Sequence, residues 1–205
     1  MPKKLPFFFL LCLTLTACCV PTKLPQINNS MAWSWGSKVA FHGDKDFTPD
    51  ERAAISLACA QWTSFTHGGI VCSVTFGRDF VKQPFTGEAD DFAIVKSSSL
   101  ELWELAGVDP RTILGYAPHR HNPLTGDRMG VVMIASDNVT HGDCWNHVAK
   151  HEIGHILGFN HIDQYNERPN VMHATYSPET GNSGTTDGFG VDDLTECMQL
   201  GLCKN

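Results

Sequence analysis

The stretch from residue 151 to residue 161, HEIGHILGFNH, constrains the chain more than any other. On a helix, His151 and His155 project from the same face, so two imidazoles can converge on one ion. Gly158 can adopt the left-handed conformation that ends a helix, which lets the chain turn and bring His161 towards the same ion. Three neutral imidazoles with an open fourth position are the ligand set of a catalytic zinc. The stretch therefore predicts one catalytic Zn²⁺ held by His151, His155 and His161.

Glu152 follows the first histidine and lies about 100° further round the helix axis. It cannot easily join the same ligand shell, but it can reach a water bound to the metal, which predicts a catalytic base. The alternative interpretation is a core helix that happens to be rich in histidine. Three histidines would be costly to bury without a metal or hydrogen-bond partners, so we prefer the metal site.

This long motif resembles the hallmark of the metzincin superfamily of zinc endopeptidases, in which a methionine turn follows the third histidine. The segment Pro169-Asn170-Val171-Met172-His173 resembles that turn. The resemblance implies that Met172 forms a hydrophobic floor beneath the zinc without binding it.

Among metzincins, the chain most resembles the matrixins, the matrix metalloproteinase group. FTPDERAAISLACAQW is similar to their first long helix, LGYAPHR with TGDRMGVVMI to the segment that leads into their edge strand, and FGVDDLTECMQLG to their C-terminal helix. The resemblance implies that Asp192 and Asp193 support the methionine turn. It also implies an α+β fold of the zincin type, with a twisted, mostly parallel sheet, an antiparallel edge strand, an active-site helix and a C-terminal helix.

The chain departs from the matrixin pattern where a second, structural zinc or a calcium would bind. His119 and His121 lie in the corresponding loop, with His141 further on, but the expected edge-strand histidine is missing from Arg128-Met129-Gly130. Exposed loop histidines are therefore preferred over a second zinc. A solvated acidic turn is likewise preferred over a calcium site at Asp90-Asp91.

A further departure concerns a second catalytic group. Astacins and serralysins carry a tyrosine two residues after the turn methionine, where this chain has Ala174. Tyr176 lies two residues later and could donate a hydrogen bond to an oxyanion, but a packing or surface role is preferred.

Matrixins usually place serine after the third histidine, and this chain has Ile162.

The N-terminus predicts export. A basic start, MPKK, precedes the apolar run LPFFFLLCLTLT, whose length is that of a signal-peptide core and too short for a membrane-spanning helix. Leu15-Thr16-Ala17-Cys18 resembles the lipobox of bacterial lipoproteins, which implies cleavage before Cys18 and lipidation of its thiol. Ordinary signal peptidase cleavage is the alternative. We expect a signal peptide over 1–17, a tether over 18–32 and a catalytic domain over 33–205.

The predicted location is the bacterial cell envelope, with a lipid anchor in the outer membrane or at the cell surface; the periplasm or secretion is the alternative. Cys19 is not the aspartate that is linked to inner-membrane retention. The formal net charge of −7 and the lack of a basic run make nucleic acid an unsuitable partner. We expect a monomer that meets protein or peptide substrates.

Cysteine spacing in an exported chain suggests disulfides. Local pairing predicts Cys59 with Cys72 and Cys197 with Cys203, which leaves Cys144 to pair with Cys19 or to stay free.

The hydrophobic pattern predicts the remaining elements. A helix is expected after Thr48, with Thr48 as N-cap, Pro49 at its first position and Glu51 closing a capping box. A last helix is expected to start at Asp192 or Asp193 and to stop at Gly201. The pattern further predicts strands over 38–42, 70–76, 92–95 and 130–135, a helix over 144–157, and loops over 77–91, 110–129 and 177–190.

Together these features predict a zinc endopeptidase. Substrate is expected to pair its backbone with the strand 130–135, and the loop 177–190 to shape the pocket after the scissile bond. Two alternatives remain: a non-catalytic lipoprotein that holds peptides or glycans, and a zinc amidase that acts on cell-wall cross-links.

Overall fold

The computed structural model describes residues 33–80, 89–96, 100–122, 124–139, 142–161, 170–172 and 188–204 of the 205-residue chain. Its strands are β1 (Ser37–Asp44), β2 (Ile70–Arg78), β3 (Asp91–Lys96), β4 (Gly115–Tyr116), β5 (His119–His121) and β6 (Arg128–Ile134). Its helices are α1 (Pro49–Phe65), α2 (Leu100–Ala106), α3 (Gly142–Ile156) and α4 (Val191–Gln199). The predicted signal peptide, Cys18 and the tether lie outside these residues. In the described ranges, none of the helices combines the length and the apolar character needed to cross a membrane.

One mixed sheet runs through the described part of the chain in the order β2-β1-β3-β6-β4, and β5 also pairs with β6. β1 pairs with β2 and β3, and β3 pairs with β6, all in parallel. β4 and β5 run antiparallel to β6. The predicted α+β fold, with a mostly parallel sheet and an antiparallel edge, is confirmed.

The prediction of an irregular loop over 110–129 is wrong. This stretch contains β4, β5 and the start of β6. Strands of two and three residues are too short to show an alternating pattern. Pro118 separates them, and its carbonyl accepts a hydrogen bond from the Val131 amide at 3.0 Å.

Strands β3 and β6 are buried on both faces, as expected for the centre of a largely parallel sheet, whereas β1 and β2 expose one face. Alternate residues of β3 and β6 point to opposite sides. The larger cluster, on the side of α1 and α3, includes Phe92, Ile94, Val132 and Ile134. The smaller cluster includes Ala93, Val95, Val131 and Met133, and Trp103 of α2 packs against them. Helix α2 was not predicted, since a seven-residue helix shows too little periodicity.

Helix α1 begins as predicted. Thr48 Oγ1 accepts a hydrogen bond from the Glu51 amide at 3.4 Å, and the Glu51 carboxylate accepts one from the Thr48 amide at 2.7 Å, so the capping box is confirmed. From the buried face of α1, Trp62 Nε1 donates to the carbonyl oxygen of Lys150 at 2.8 Å. Helix α1 thereby holds α3 in place.

The disulfide predictions have mixed outcomes. Cys197 and Cys203 form the predicted disulfide, which closes the end of α4. Cys59 and Cys72 are free, so that pairing is wrong. Their two buried thiols contact each other between α1 and β2, and burial raises the pKa of the Cys72 thiol. Cys144 is half-buried on α3, and its suggested N-terminal partner lies outside the described residues.

Candidate metal centre

Helix α3 brings two of the predicted ligands together. His151 and His155 are one helical turn apart, and their Nε2 atoms lie 3.2 Å from each other. His161 follows the helix, and its Nε2 lies 3.1 Å from each of the other two. Among the described residues, these three form the one group of three or more histidine, cysteine or acidic side chains able to hold a metal ion.

Gly158 makes the predicted turn after α3. Its φ of 96° lies in the region that favours glycine. The Gly158 amide donates to the carbonyl oxygen of His155, and the Phe159 amide to that of Gly154, both at 3.0 Å. The Phe159 ring is buried, with its centroid 4.6 Å from that of Trp62. The turn therefore sends the chain back towards the two helical histidines.

Hydrogen bonds to the backbone fix the protonation of two imidazoles. His151 Nδ1 lies 2.8 Å from the carbonyl oxygen of Val171, and His155 Nδ1 lies 2.9 Å from that of Phe159. A carbonyl oxygen only accepts, so each Nδ1 carries the proton and each Nε2 presents a lone pair. Burial, with a contribution from His151, lowers the pKa of His155 to about 3, which keeps it neutral at pH 7.

The arrangement fits a zinc ion. Tetrahedral zinc with bonds of about 2.0–2.1 Å to nitrogen places neighbouring ligand atoms about 3.3 Å apart. The three Nε2 atoms meet that spacing. Lone pairs that face one another so closely repel unless a cation lies between them. The backbone bonds to Nδ1 are the outer contacts that orient zinc-binding histidines.

The methionine turn lies against α3. Met172 is fully buried, and its Sδ occupies the space that a Cβ at Gly154 would need. Asp193 of α4 holds this turn, because its carboxylate accepts hydrogen bonds from the amides of Val171 at 3.1 Å and Met172 at 3.4 Å. Within the described residues, Asp193 and not Asp192 contacts the turn. Since Val171 also binds His151, α4 supports a candidate ligand through two hydrogen bonds in series.

The predicted start of α4 is wrong. The helix begins at Val191 with Gly190 as its N-cap, and Asp193 is its third residue. Asp193 reaches back to accept a hydrogen bond from the Gly190 amide at 2.7 Å. Burial raises the pKa of Asp193 although three amides bond to it. Gly201, with a φ of 71°, stops the helix as predicted.

Glu152 points from α3 towards β4. Its side chain is 6% exposed, and burial raises its pKa to about 8. A Cβ at Gly115 would lie 2.5 Å from Glu152 Oε1, so only glycine lets the strand approach the carboxyl group this closely. Gly115 is a site residue that the sequence interpretation missed, and the glycine itself was the available signal.

A cleft of about 410 Å³ opens beside the three histidines. Its walls come from β4, β5, α3 and the turn after α3. The lining residues are Gly115, Tyr116, Ala117, His119, Glu152, His155, Gly158, Phe159, Asn160 and His161.

The predicted role of the strand 130–135 in pairing with substrate is wrong. β6 pairs with β3 along one edge and with β4 and β5 along the other, so both of its edges are occupied. In the described part of the chain, β4 pairs only with β6, so the strand edge beside the cleft belongs to β4.

The second-metal predictions find no support within the described residues, where no cluster besides the three histidines meets the requirements. The prediction of exposed loop histidines is wrong, because His119 is buried on β5 and lines the cleft, and His121 is half-buried on the same strand. Asp91 is paired with Arg78 at 2.7 Å and is therefore not an open calcium ligand. Predictions on His141, Ile162, His173, Ala174, Tyr176 and most of 177–190 lie outside the described residues.

Two tertiary contacts around the site also escaped the sequence interpretation. Trp33 Nε1 donates to the carbonyl oxygen of Ile156, at the end of α3, at 3.0 Å. Glu196 of α4 accepts a hydrogen bond from the Asn160 amide at 2.9 Å. No spacing rule links residues so far apart in sequence.

The fold and the site together define a protein of the metzincin type, with three histidines placed to hold a metal ion. The family model described as Matrixin matches residues 28–199, so the chain belongs to the matrixin family of zinc metalloendopeptidases. No curated protein sequence matches the chain.

The chain is similar to two solved structures. Metalloproteinase-II from Bacteroides fragilis is 17% identical with a TM-score of 0.48, over 88% of this chain and 58% of that one. A myroilysin structure is 15% identical with a TM-score of 0.36, over 64% of this chain and 52% of that one. The chain thus spans little more than half the length of each.

Proposed function

We propose that the protein is a zinc endopeptidase in which His151, His155 and His161 hold the metal. The observation that carries this proposal is the convergence of three Nε2 atoms within 3.2 Å beside a buried carboxyl group. Bound zinc supplies a Lewis acid for the scissile carbonyl and lowers the pKa of a bound water.

Glu152 acts as the general base. It accepts a proton from the attacking water and then delivers that proton to the leaving amine. Burial raises the pKa of the Glu152 carboxyl group, which suits the second step, because a protonated carboxyl group can deliver its proton to the leaving amine near neutral pH. Gly115 supports this role, since a larger residue there would push the carboxyl group away.

Substrate lies extended along the cleft and pairs with the outer edge of β4. Strand addition supplies main-chain hydrogen bonds whatever the substrate side chains are. Specificity then comes from side chains that line the cleft, such as His119 and Phe159.

The substrates are extracytoplasmic proteins. This part of the proposal depends on the basic start, the apolar run and the lipobox-like Leu15-Thr16-Ala17-Cys18. The enzyme then acts from a lipid anchor at Cys18 in the cell envelope.

The test is cleavage of a quenched-fluorescent peptide library by a chain that starts at residue 31. The assay compares zinc-loaded enzyme, enzyme with chelator, and zinc-loaded Glu152→Gln. We expect cleavage that chelator abolishes, and a loss of turnover of two or more orders of magnitude in Glu152→Gln, because the variant keeps the ligands and lacks only the base.

Near-normal turnover in zinc-loaded Glu152→Gln would refute the role of Glu152. One equivalent of bound zinc without any peptide cleavage would instead favour a binding protein or an amidase. Assays on cell-wall fragments would distinguish these two.

A further inference from the structure

Helix α4 directs a second acidic side chain towards the metal centre, in addition to Asp193. Glu196 lies one turn after Asp193 and is half-buried. Its Oε1 accepts hydrogen bonds from both the amide and the side-chain Nδ2 of Asn160, at 2.9 and 3.3 Å. Glu196 therefore binds Asn160, the residue directly before His161, through two hydrogen bonds.

The chain leaves the helix after Gly158, and its last hydrogen bonds to α3 are those of the Phe159 backbone with the Gly154 carbonyl oxygen and with His155 Nδ1. Phe159 is anchored by burial against Trp62. Beyond Phe159, the described contacts of the backbone before His161 are those of Asn160 with Glu196. His161 itself is exposed, so packing does little to hold its ring.

Helix α4 is a firm support for such a contact. The Cys197–Cys203 disulfide follows Glu196 directly, and Cys197 is fully buried. Asp193 fixes the other end of the helix through three backbone amides. A hydrogen bond from this helix can therefore restrain the chain at Asn160.

We propose that Glu196 is a positioning residue for the third zinc ligand, and that it acts on His161 through Asn160. One rigid helix then places ligands on both sides of the ion, through Asp193 and the methionine turn on one side and through Glu196 on the other. The inference rests on the proposed zinc site.

The test measures the zinc dissociation constant by competition with a chromophoric chelator. We expect Glu196→Ala to weaken zinc binding about tenfold, at the low end of the range for contacts outside the ligand shell. Glu196→Gln keeps an acceptor oxygen and should bind zinc within about twofold of wild type, since the expected loss comes from the missing bond. Gln199→Ala, an exposed change on the same helix, is the matched control.

A purely structural role predicts a different result. As long as a variant stays folded, loss of global stability alone leaves its zinc affinity unchanged. Zinc affinity in folded Glu196→Ala equal to that of Gln199→Ala would therefore overturn the proposal. Equal weakening by the Gln and Ala variants would also overturn it, because charge and not the bond would then be responsible.

Two further measurements allow the test to be interpreted if a variant fails to fold or if wild type fails to bind zinc. If Glu196→Ala does not fold, Glu196→Asp withdraws the carboxylate by one methylene and is measured instead, with the same expected weakening. Wild-type protein is measured first. If wild type does not bind one zinc ion, the proposed function is refuted. If wild type and all variants bind zinc equally tightly, only the proposed role of Glu196 is refuted.

Discussion

The two sides of the metal centre are built differently. His151 and His155 stand on α3, are partly buried, and have their Nδ1 atoms bonded to backbone carbonyls. His161 is exposed and follows a glycine turn, and its backbone is restrained through Asn160. Helical geometry alone makes the first pair converge, whereas the third ligand depends on contacts with remote parts of the chain.

This difference predicts unequal sensitivity to mutation. Changes beneath the helical pair should lower the free energy of unfolding and disturb zinc binding together, because the same core supports both. Changes around the third ligand should cost little stability and act mainly on the metal.

The largest effect is expected from Asp193→Ala, which leaves three amides without their acceptor. Unpaired buried donors cost about 1–3 kcal/mol each, and water will reach some of them, so we expect a loss of about 3 kcal/mol. Urea unfolding measures it. Asp193→Asn keeps one acceptor oxygen and should lose less, and an equal loss in both variants would show that the hydrogen bonds are not the cause.

The second-largest loss of stability is expected from Gly154→Ala. The new Cβ would overlap Met172 Sδ and lie 2.8 Å from Trp62 Cζ2. Overpacking costs about 1–3 kcal/mol, and the helix propensity of alanine returns at most about 1 kcal/mol, so we expect a net loss of about 1–2 kcal/mol. Adding Met172→Ala to this variant should cost less than the sum of the two single changes. Strict additivity would mean that Gly154 and Met172 do not share this space.

The third prediction concerns pH and a buried histidine one turn before the first ligand. Burial, with a contribution from Lys150, lowers the pKa of His147 to about 4. The unfolded chain, with a histidine pKa of about 6.5, then binds more protons than the folded one between these values, so stability falls as pH falls through this window. From pH 7 to pH 5 this amounts to about 1–2 kcal/mol.

The comparison variant is His147→Leu, which cannot take up that proton. Zinc release at low pH affects both proteins, so the quantity of interest is the difference between their losses of unfolding free energy. We expect wild type to lose about 1–2 kcal/mol more than the variant between pH 7 and pH 5. Parallel curves would contradict the lowered pKa of His147.

The smallest effect on stability is expected at the turn to the third ligand. Gly158→Ala places a side chain at a φ of 96° and should cost about 1 kcal/mol. Zinc affinity should fall in the same variant, because the turn directs His161. Asparagine adopts a positive φ more readily than alanine, so Gly158→Asn should lose less stability and less zinc affinity than Gly158→Ala. A loss of stability larger than that of Gly154→Ala would erase the contrast between the two sides.

Local sequence rules predicted the local part of this structure. The capping box at Thr48, the four-residue spacing on α3 and the stop at Gly158 each depend on neighbours within a few positions. The matrixin resemblance added the methionine turn and its support by Asp193. These features place the three histidines and Glu152 almost completely.

The failures share a physical cause, which is dependence on distant partners. β4 and β5 exist because β6 lies beside them, and their few residues carry no pattern of their own. The hydrogen bond between the Asn160 amide and Glu196 joins residues 36 positions apart, and no local sequence pattern predicts it.

The close approach of Gly115 to Glu152 has a consequence for how the sequence can diverge. Any side chain at position 115 needs the carboxyl group at position 152 to move, so these two positions cannot drift independently. A lineage that gains alanine at 115 must reposition the carboxyl group of Glu152, which under the proposed mechanism lowers activity. Across relatives with this backbone geometry, the residue type at 115 should therefore indicate whether a glutamate at 152 still stands in the reactive position.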